Sequence, residues 1–368
     1  MWEYKNRVLP SKILILKKIS LTLLLAMLVI AGCNKDNRTK TFNPDKRIVS
    51  FKERIKDIPF SEIVQVGGIE ITDSIIIVED YSGFNDRVFY LLNKNDFQPI
   101  TKSLKLGKGP GEITRAGFFT TDILKRKLYL NDHGKNVVWE IPLGSMISNP
   151  EYLPSQNLRR NPLLLLQEYY PLDDSLMLGI AMHPLSPGTF EIKTVKWDVR
   201  KNTIIEFGYE HPEAQGIYLS TMSFGVSLKD SCYFKAHYWL DLLTICNLDG
   251  TLKFNIYGPD WGKNNKLGSN IYFFGGVKPY HDLVLAAYVG DKATITDENK
   301  REKGNSPSKI LVFTQEGDYI ATIDLGINFT KFAVDEENNR IILSSGATDE
   351  PLKYFILDPQ EIQNLKII

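Results

Sequence analysis

One short pattern recurs six times along this chain, and any fold proposed for it has to explain the recurrence. A polar residue or turn leads into a short apolar run at Asp73-Ser74-Ile75-Ile76-Ile77, Arg126-Lys127-Leu128-Tyr129-Leu130 and Asp174-Ser175-Leu176-Met177-Leu178. It returns at Asp230-Ser231-Cys232-Tyr233-Phe234, His281-Asp282-Leu283-Val284-Leu285 and Asn339-Arg340-Ile341-Ile342-Leu343. From Asp73 through Arg126, Asp174, Asp230 and Asp282 to Asn339 the steps are 53, 48, 56, 52 and 57 residues. Each unit is long enough for four short strands and their turns, and none holds the long 3.6-period pattern of a crossover helix. The expectation is an all-β fold, a six-bladed β-propeller of four-stranded antiparallel blades.

Turn chemistry within the units agrees. Leu242 to Leu248 meets Asp249-Gly250 before Thr251 to Ile256, and Ile310 to Phe313 meets Glu316-Gly317 before Tyr319 to Ile323. Each glycine supplies a residue that tolerates positive φ in a tight hairpin. The last unit has only about thirty residues after Asn339, enough for three strands. The extended segment Arg47-Ile48-Val49-Ser50-Phe51 lies upstream of the first repeat without a blade of its own. It is expected to pair with the C-terminal strands and close the ring, removing two sheet edges.

The N-terminus reads as an address. Lys12, Lys17 and Lys18 precede an apolar stretch, Ile19 to Ile30, that is too short to span a bilayer but suits a signal peptide. The stretch ends in Ile30-Ala31-Gly32-Cys33, which resembles the lipobox of bacterial lipoproteins. That resemblance implies cleavage before Cys33, lipidation of its thiol, and a protein held to the bilayer by its acyl chains. Two or three such chains anchor durably where one is reversible. The domain reading is a signal peptide over 1–32, a polar tether over 33–45 and a propeller over 46–368. Asp36 in the tether resembles the acidic surface-export signals of Bacteroidota lipoproteins, so the expected location is the cell envelope at the outer membrane, on its periplasmic or its surface face.

Phe332-Ala333-Val334-Asp335 with Asn338-Asn339-Arg340-Ile341-Ile342-Leu343, and the loop Leu106-Gly107-Lys108-Gly109-Pro110-Gly111-Glu112, resemble the repeat signature of NHL-type and TolB-like six-bladed propellers. With the lipobox, the chain is similar to the propeller lipoproteins of Bacteroidota. Residues 157–220 depart from the signature, so the resemblance implies the fold more than an activity.

Charge and cysteine content narrow the function. The first 33 residues carry five basic side chains and one acidic one, which leaves 39 basic against 43 acidic, a net charge of −4. No basic stripe remains to displace counterions from a phosphate backbone, which excludes nucleic acid as the expected partner. Beyond Cys33 only Cys232 and Cys246 remain, on two runs that look like adjacent strands. A bridge across that hairpin and two buried free thiols are both compatible with the sequence.

If the repeated run is the inner strand of each blade, the positions just past it shape the mouth of the axial channel. They hold Glu79-Asp80, Asp132-His133, His183, His237, Tyr288 and Ser344. Counting five residues on from Ile75, Leu128, Cys232 and Leu283 makes Asp80, His133, His237 and Tyr288 equivalent, a candidate ligand-binding set. Asp80, His133 and His237 among them are the residue types of a divalent-metal site. The same side chains would also suit a hydrated rim with no ligand. No cofactor is otherwise expected, and no nucleophile sits on a Gly-x-Ser-x-Gly elbow. The leading expectation is a monomeric, non-catalytic binding or scaffold module for an envelope protein, peptide or glycan. An NHL-like or lactonase-like enzyme with a metal in the channel is the alternative.

Overall fold

The computed structural model describes residues 37–60, 62, 64–159, 165–216, 219–263, 270–296, 300–346 and 350–364. The expected signal peptide over 1–32 and Cys33 lie outside the described residues. No helix among the described residues is long and apolar enough to cross a membrane.

Each repeat builds one antiparallel sheet. In the first blade the strands Val66–Ile71, Ile75–Asp80, Arg87–Asn93 and Pro99–Lys105 lie side by side in chain order. The same meander recurs in the second blade from Ala116–Asp122 to Asn157–Arg159 and in the third from Leu165–Pro171 to Thr203–Glu206. The fourth runs from Met222–Ser227 to Leu252–Tyr257 and the fifth from Ile271–Tyr280 to Tyr319–Asp324. The sixth contributes Lys331–Asp335, Arg340–Ser344 and Leu352–Ile356. At all six junctions, including sixth to first, the first strands of neighbouring blades pack together, so the fold is a closed six-bladed β-propeller.

That packing corrects one expectation. The repeated apolar run is the second strand of each blade, while the first strand lines the axis. The physical reason lies in burial. Ile75–Asp80 is buried along its whole length, flanked by ladders on both edges and by neighbouring sheets on both faces. Its inner neighbour, Val66-Gly67-Gly68-Ile69-Glu70-Ile71, borders the channel and is only partly buried. A strand buried on both faces reads as a continuous apolar run, and it is therefore the one a sequence shows first. The polar residue ahead of that run also has a role. Arg126, Ser231, His281 and Asn339 have φ of 51°, 53°, 51° and 49° in the turns joining first to second strands, a left-handed backbone that tightens the hairpin.

Ring closure by the N-terminal segment holds, but through other residues than expected. Lys56–Asp57 pairs antiparallel with the sixth blade's Leu352–Ile356, Tyr354 opposite Lys56 and Lys353 opposite Asp57, and the last pair also forms an ion pair. Ile48–Ser50, expected there, instead runs parallel to Tyr319–Asp324 on the outer edge of the fifth blade, Ile48 opposite Thr322. Thr39–Thr41 is the outermost strand of the fourth blade's sheet. The incoming chain thus caps three exposed sheet edges in succession before it enters the first blade, and each cap satisfies backbone groups that would otherwise template aggregation.

Aromatic side chains fasten the segment. Phe51 is fully buried against Phe355, ring centroids 5.5 Å apart. Phe42 lies edge-on to Phe274, Tyr288 and Phe313 at 5.9, 5.8 and 5.5 Å. Lys40 pairs with Asp318 at 2.7 Å. Lys40 and Phe42, which fall within the 33–45 segment read as a tether, are therefore docked on the propeller.

Cys232 and Cys246 are free and buried. The register sets Cys232 opposite Asn247 and Cys246 opposite Tyr233. This one-residue offset sends the thiols to opposite faces of the sheet, Cys232 into the cluster shared with the fifth blade and Cys246 into the one shared with the third.

Candidate functional site

Among the described residues, the first strands frame a larger and a smaller cavity along the axis. The larger, about 750 Å³, opens at the end where first strands begin and second strands finish. The smaller, about 430 Å³, lies towards the other end. Ile69, Glu70, Tyr170 and Lys278 border both and form the neck between them. There the Lys278 ammonium lies 3.4 Å from Glu70 Oε1 and 3.5 Å from the Tyr170 hydroxyl, linking blades one, three and five across the axis. Tyr170 in turn donates to the Phe224 carbonyl at 3.2 Å. Burial works against the charge on Lys278, but Tyr170, Glu70 and Glu168 together hold its pKa above the usual lysine range.

Irregular backbone at the start of the inner strands shapes the larger cavity. Register shifts interrupt the ladder between Val66 and Gly68, Ala116 and Phe119, Leu166 and Glu168, and Phe274 and Val277. Bulges of this kind re-aim side chains. At two of them a glycine lets the strand behind show through. A Cβ on Gly67 would stand 2.5 Å from Glu79 Oε2, and one on Gly117 would collide with the His133 imidazole. Glu79 and His133, both from outside the inner strands, thereby reach the cavity wall.

Two carboxyl groups there are pushed towards neutrality. Burial raises Glu79 from 4.5 to about 7, with Lys331 pulling the other way and Asp80 adding to the rise. Burial also raises Glu168, opposed by Lys278, by the 3.1 Å hydrogen bond from the Phe224 N–H and by Lys331. On the same wall the Tyr238 and Tyr272 rings are 5.6 Å apart, with Trp239 5.8 Å from Tyr272. Burial pushes the Tyr272 hydroxyl up to about 12. The wall therefore offers a carboxyl group able to take or release a proton near neutral pH, two ammonium groups and a set of tyrosines.

The residues singled out from the sequence are dispersed. Asp80 is buried and accepts from the Gln65 and Ser82 N–H groups at 3.2 and 2.8 Å, from the Ser82 hydroxyl at 3.0 Å and from Asn85, so it holds a turn. Asp132 repeats this role in the second blade, accepting from the Thr114, Arg115 and Gly134 N–H groups. His133 is exposed and lines the larger cavity. His237 is fully buried, and burial and then Lys235 lower its pKa to about 3. Tyr288 lies in the core between blades four and five and donates to Asp241 at 3.1 Å. Among the described residues no three His, Cys, Asp or Glu side chains are grouped to hold a metal ion, so Asp80, His133 and His237 do not form a ligand set.

Glu70, Glu168, Lys278 and Lys331 are not legible as site residues in the sequence because they stand on first strands, which the repeat does not place at the axis. Two signals could have found them: the doubled glycines Gly67-Gly68 and Gly275-Gly276, and the alternation of Glu168 with Tyr170 on one strand face.

No family model matches the chain, and no curated protein matches it. Solved structures do. It is similar to a member of the DUF4221 family from Bacteroides vulgatus, at 10% identity and a TM-score of 0.56, covering 83% of this chain and 99% of that one. A protein from Bacteroides fragilis matches at 13% identity and a TM-score of 0.52, over 90% of this chain and 95% of that one. A luciferin-regenerating enzyme matches at 7% identity and a TM-score of 0.53, over 83% and 95%. At such identities these likenesses establish a shared β-propeller fold, and a fold does not by itself carry a function.

Proposed function

We propose that this chain is an envelope-anchored binding module, tethered by lipid on Cys33, that receives a protein, peptide or glycan at the wide mouth of its larger axial cavity. The observation that carries the reading is the lining of that mouth, where ionisable groups and tyrosines share a cavity with a partly apolar rim. Tyr81, Phe84 and Leu185 stand 52%, 90% and 55% exposed on or beside the turns that join second to third strands in blades one and three. Tyr81 borders the cavity itself, and exposed apolar side chains at that same end desolvate on contact and mark a docking face. The NHL-like and TolB-like repeat signature and the lipobox support the same assignment.

The test is capture on peptide and glycan arrays by the full-length chain in nanodiscs, beside the Phe84→Asp variant and the Cys33→Ser variant in cells. Saturable binding that Phe84→Asp weakens about tenfold, together with loss of membrane attachment in Cys33→Ser, is expected. Binding indifferent to the rim would refute the docking face.

A further inference from the structure

The larger cavity is lined by two groups of opposite charge, Glu79 and Lys331, neither of which forms an ion pair with any described residue. Glu79 is only 5% exposed, faces the cavity through the glycine gap at Gly67, and accepts no side-chain hydrogen bond from any described residue. A carboxyl group this enclosed reaches open space only through the cavity, so a partner for it must come from there. Lys331, on the first strand of blade six, is exposed on the same cavity wall and forms no ion pair with any described residue. The two influence each other electrostatically yet stand more than 4.0 Å apart.

We propose that Glu79 and Lys331 together receive a zwitterion, a free amino acid or the termini of a short peptide, with the ligand's ammonium on Glu79 and its carboxylate on Lys331. The proposal rests on the cavity being a binding site, and it narrows the ligand. A neutral sugar would bring no charge to answer either Glu79 or Lys331. A simple cation would meet Lys331 and Lys278, and a simple anion would meet Glu79 and Glu168. Only a ligand carrying both charges answers both.

Docking an ammonium group favours the ionised carboxylate, so affinity falls as pH drops below about 7, where Glu79 takes up a proton. The ionisable groups bordering the same space are Lys331, Lys278, Glu70, Glu168, His133 and the tyrosines Tyr81, Tyr170, Tyr238 and Tyr272, with Glu70 held by Lys278 and Asp80 beside Glu79 already committed to its turn. Because other ionisable groups border the same space, the pH profile must be compared with that of Glu79→Gln, which isolates this carboxyl group.

The experiment is calorimetric titration of the full-length chain in nanodiscs with four probes: a pool of L-amino acids, a pool of random tripeptides with free termini, the same tripeptides acetylated and amidated, and a pool of neutral glycans. The expected result is binding of one or both free-terminus pools, weakened about tenfold by capping the termini, by Glu79→Gln and by Lys331→Met. Loss of the pH dependence in Glu79→Gln completes it. Amino acids binding as tightly as tripeptides names the free amino acid as ligand, and tripeptides alone name the peptide. Equal affinity for capped and free peptides, or binding untouched by both substitutions, overturns the zwitterion while leaving the cavity a binding site. Glycan binding alone does the same. No binding of any probe overturns both readings.

Discussion

Replacing Glu79 by glutamine should make this protein more stable at pH 8 and leave its stability unchanged near pH 4. In the folded chain the carboxyl group titrates at about 7, against an ordinary value of 4.5, chiefly because burial disfavours its charged form. Between those two pH values the folded state holds a proton that the unfolded chain has released. Stability is therefore lost as pH rises from 4.5 through about 7, and above that the loss is complete. At about 1.4 kcal/mol for each pH unit the penalty comes to roughly 3 kcal/mol. Glutamine fills the same space behind Gly67 and carries no charge at any pH, so it escapes the penalty. Urea unfolding of both proteins at pH 4 and pH 8 reads the difference directly. A gap of about 3 kcal/mol at pH 8 that closes at pH 4 is expected. A gap that is the same at both pH values, or a variant less stable at pH 8, would refute the reasoning. The gain would coincide with weaker ligand binding, as expected of a residue kept for function at a cost in stability.

Three further outcomes follow from the packing. Gly179→Ala would push a Cβ into the Glu168 carbonyl oxygen and to 2.6 Å from Tyr169 Cα, backbone atoms of the adjacent strand that cannot step aside; a thermal melt should show a loss of about 2 kcal/mol or more. Asp335→Ala would strip the buried Arg340 guanidinium of its contacts at 2.6 and 2.9 Å at the seam where blade six meets Lys94 of blade one. Its unfolding free energy should fall by about 3–5 kcal/mol. His237, held at about 3 against an ordinary 6.5, is neutral in the fold, so it contributes stability above pH 6.5 that is lost as pH falls towards 3. His237→Leu should remove about 3 kcal/mol of that acid sensitivity in paired denaturation series at pH 7 and pH 4.

What the sequence carries by itself is the local part of the design. Six apolar runs with polar turns specify six blades, because each run is long enough for one strand and each unit for one meander. The glycines and left-handed turn residues specify the hairpins, since backbone conformation is set within a few residues. The need for an N-terminal strand to close the ring is also legible, from the missing fourth strand after Leu352–Ile356.

Tertiary structure decided everything that depends on what a strand faces. Lys56–Asp57, and not Ile48–Ser50, closes the sixth blade because the incoming chain meets the edges of blades four, five and six in turn, an order fixed by the ring and by no local preference. Asp80 and His133 look alike at equal spacing from the repeat, yet one folds into its own turn and the other reaches the cavity beside Gly117. Glu79 looks like an ordinary strand-end acid in the sequence. It meets Lys331, 252 positions further along the chain, only because the first strands of blades six and one close the circle. Strand periodicity is a short-range signal, whereas a shared cavity is built by closure, and closure is a property of the whole ring.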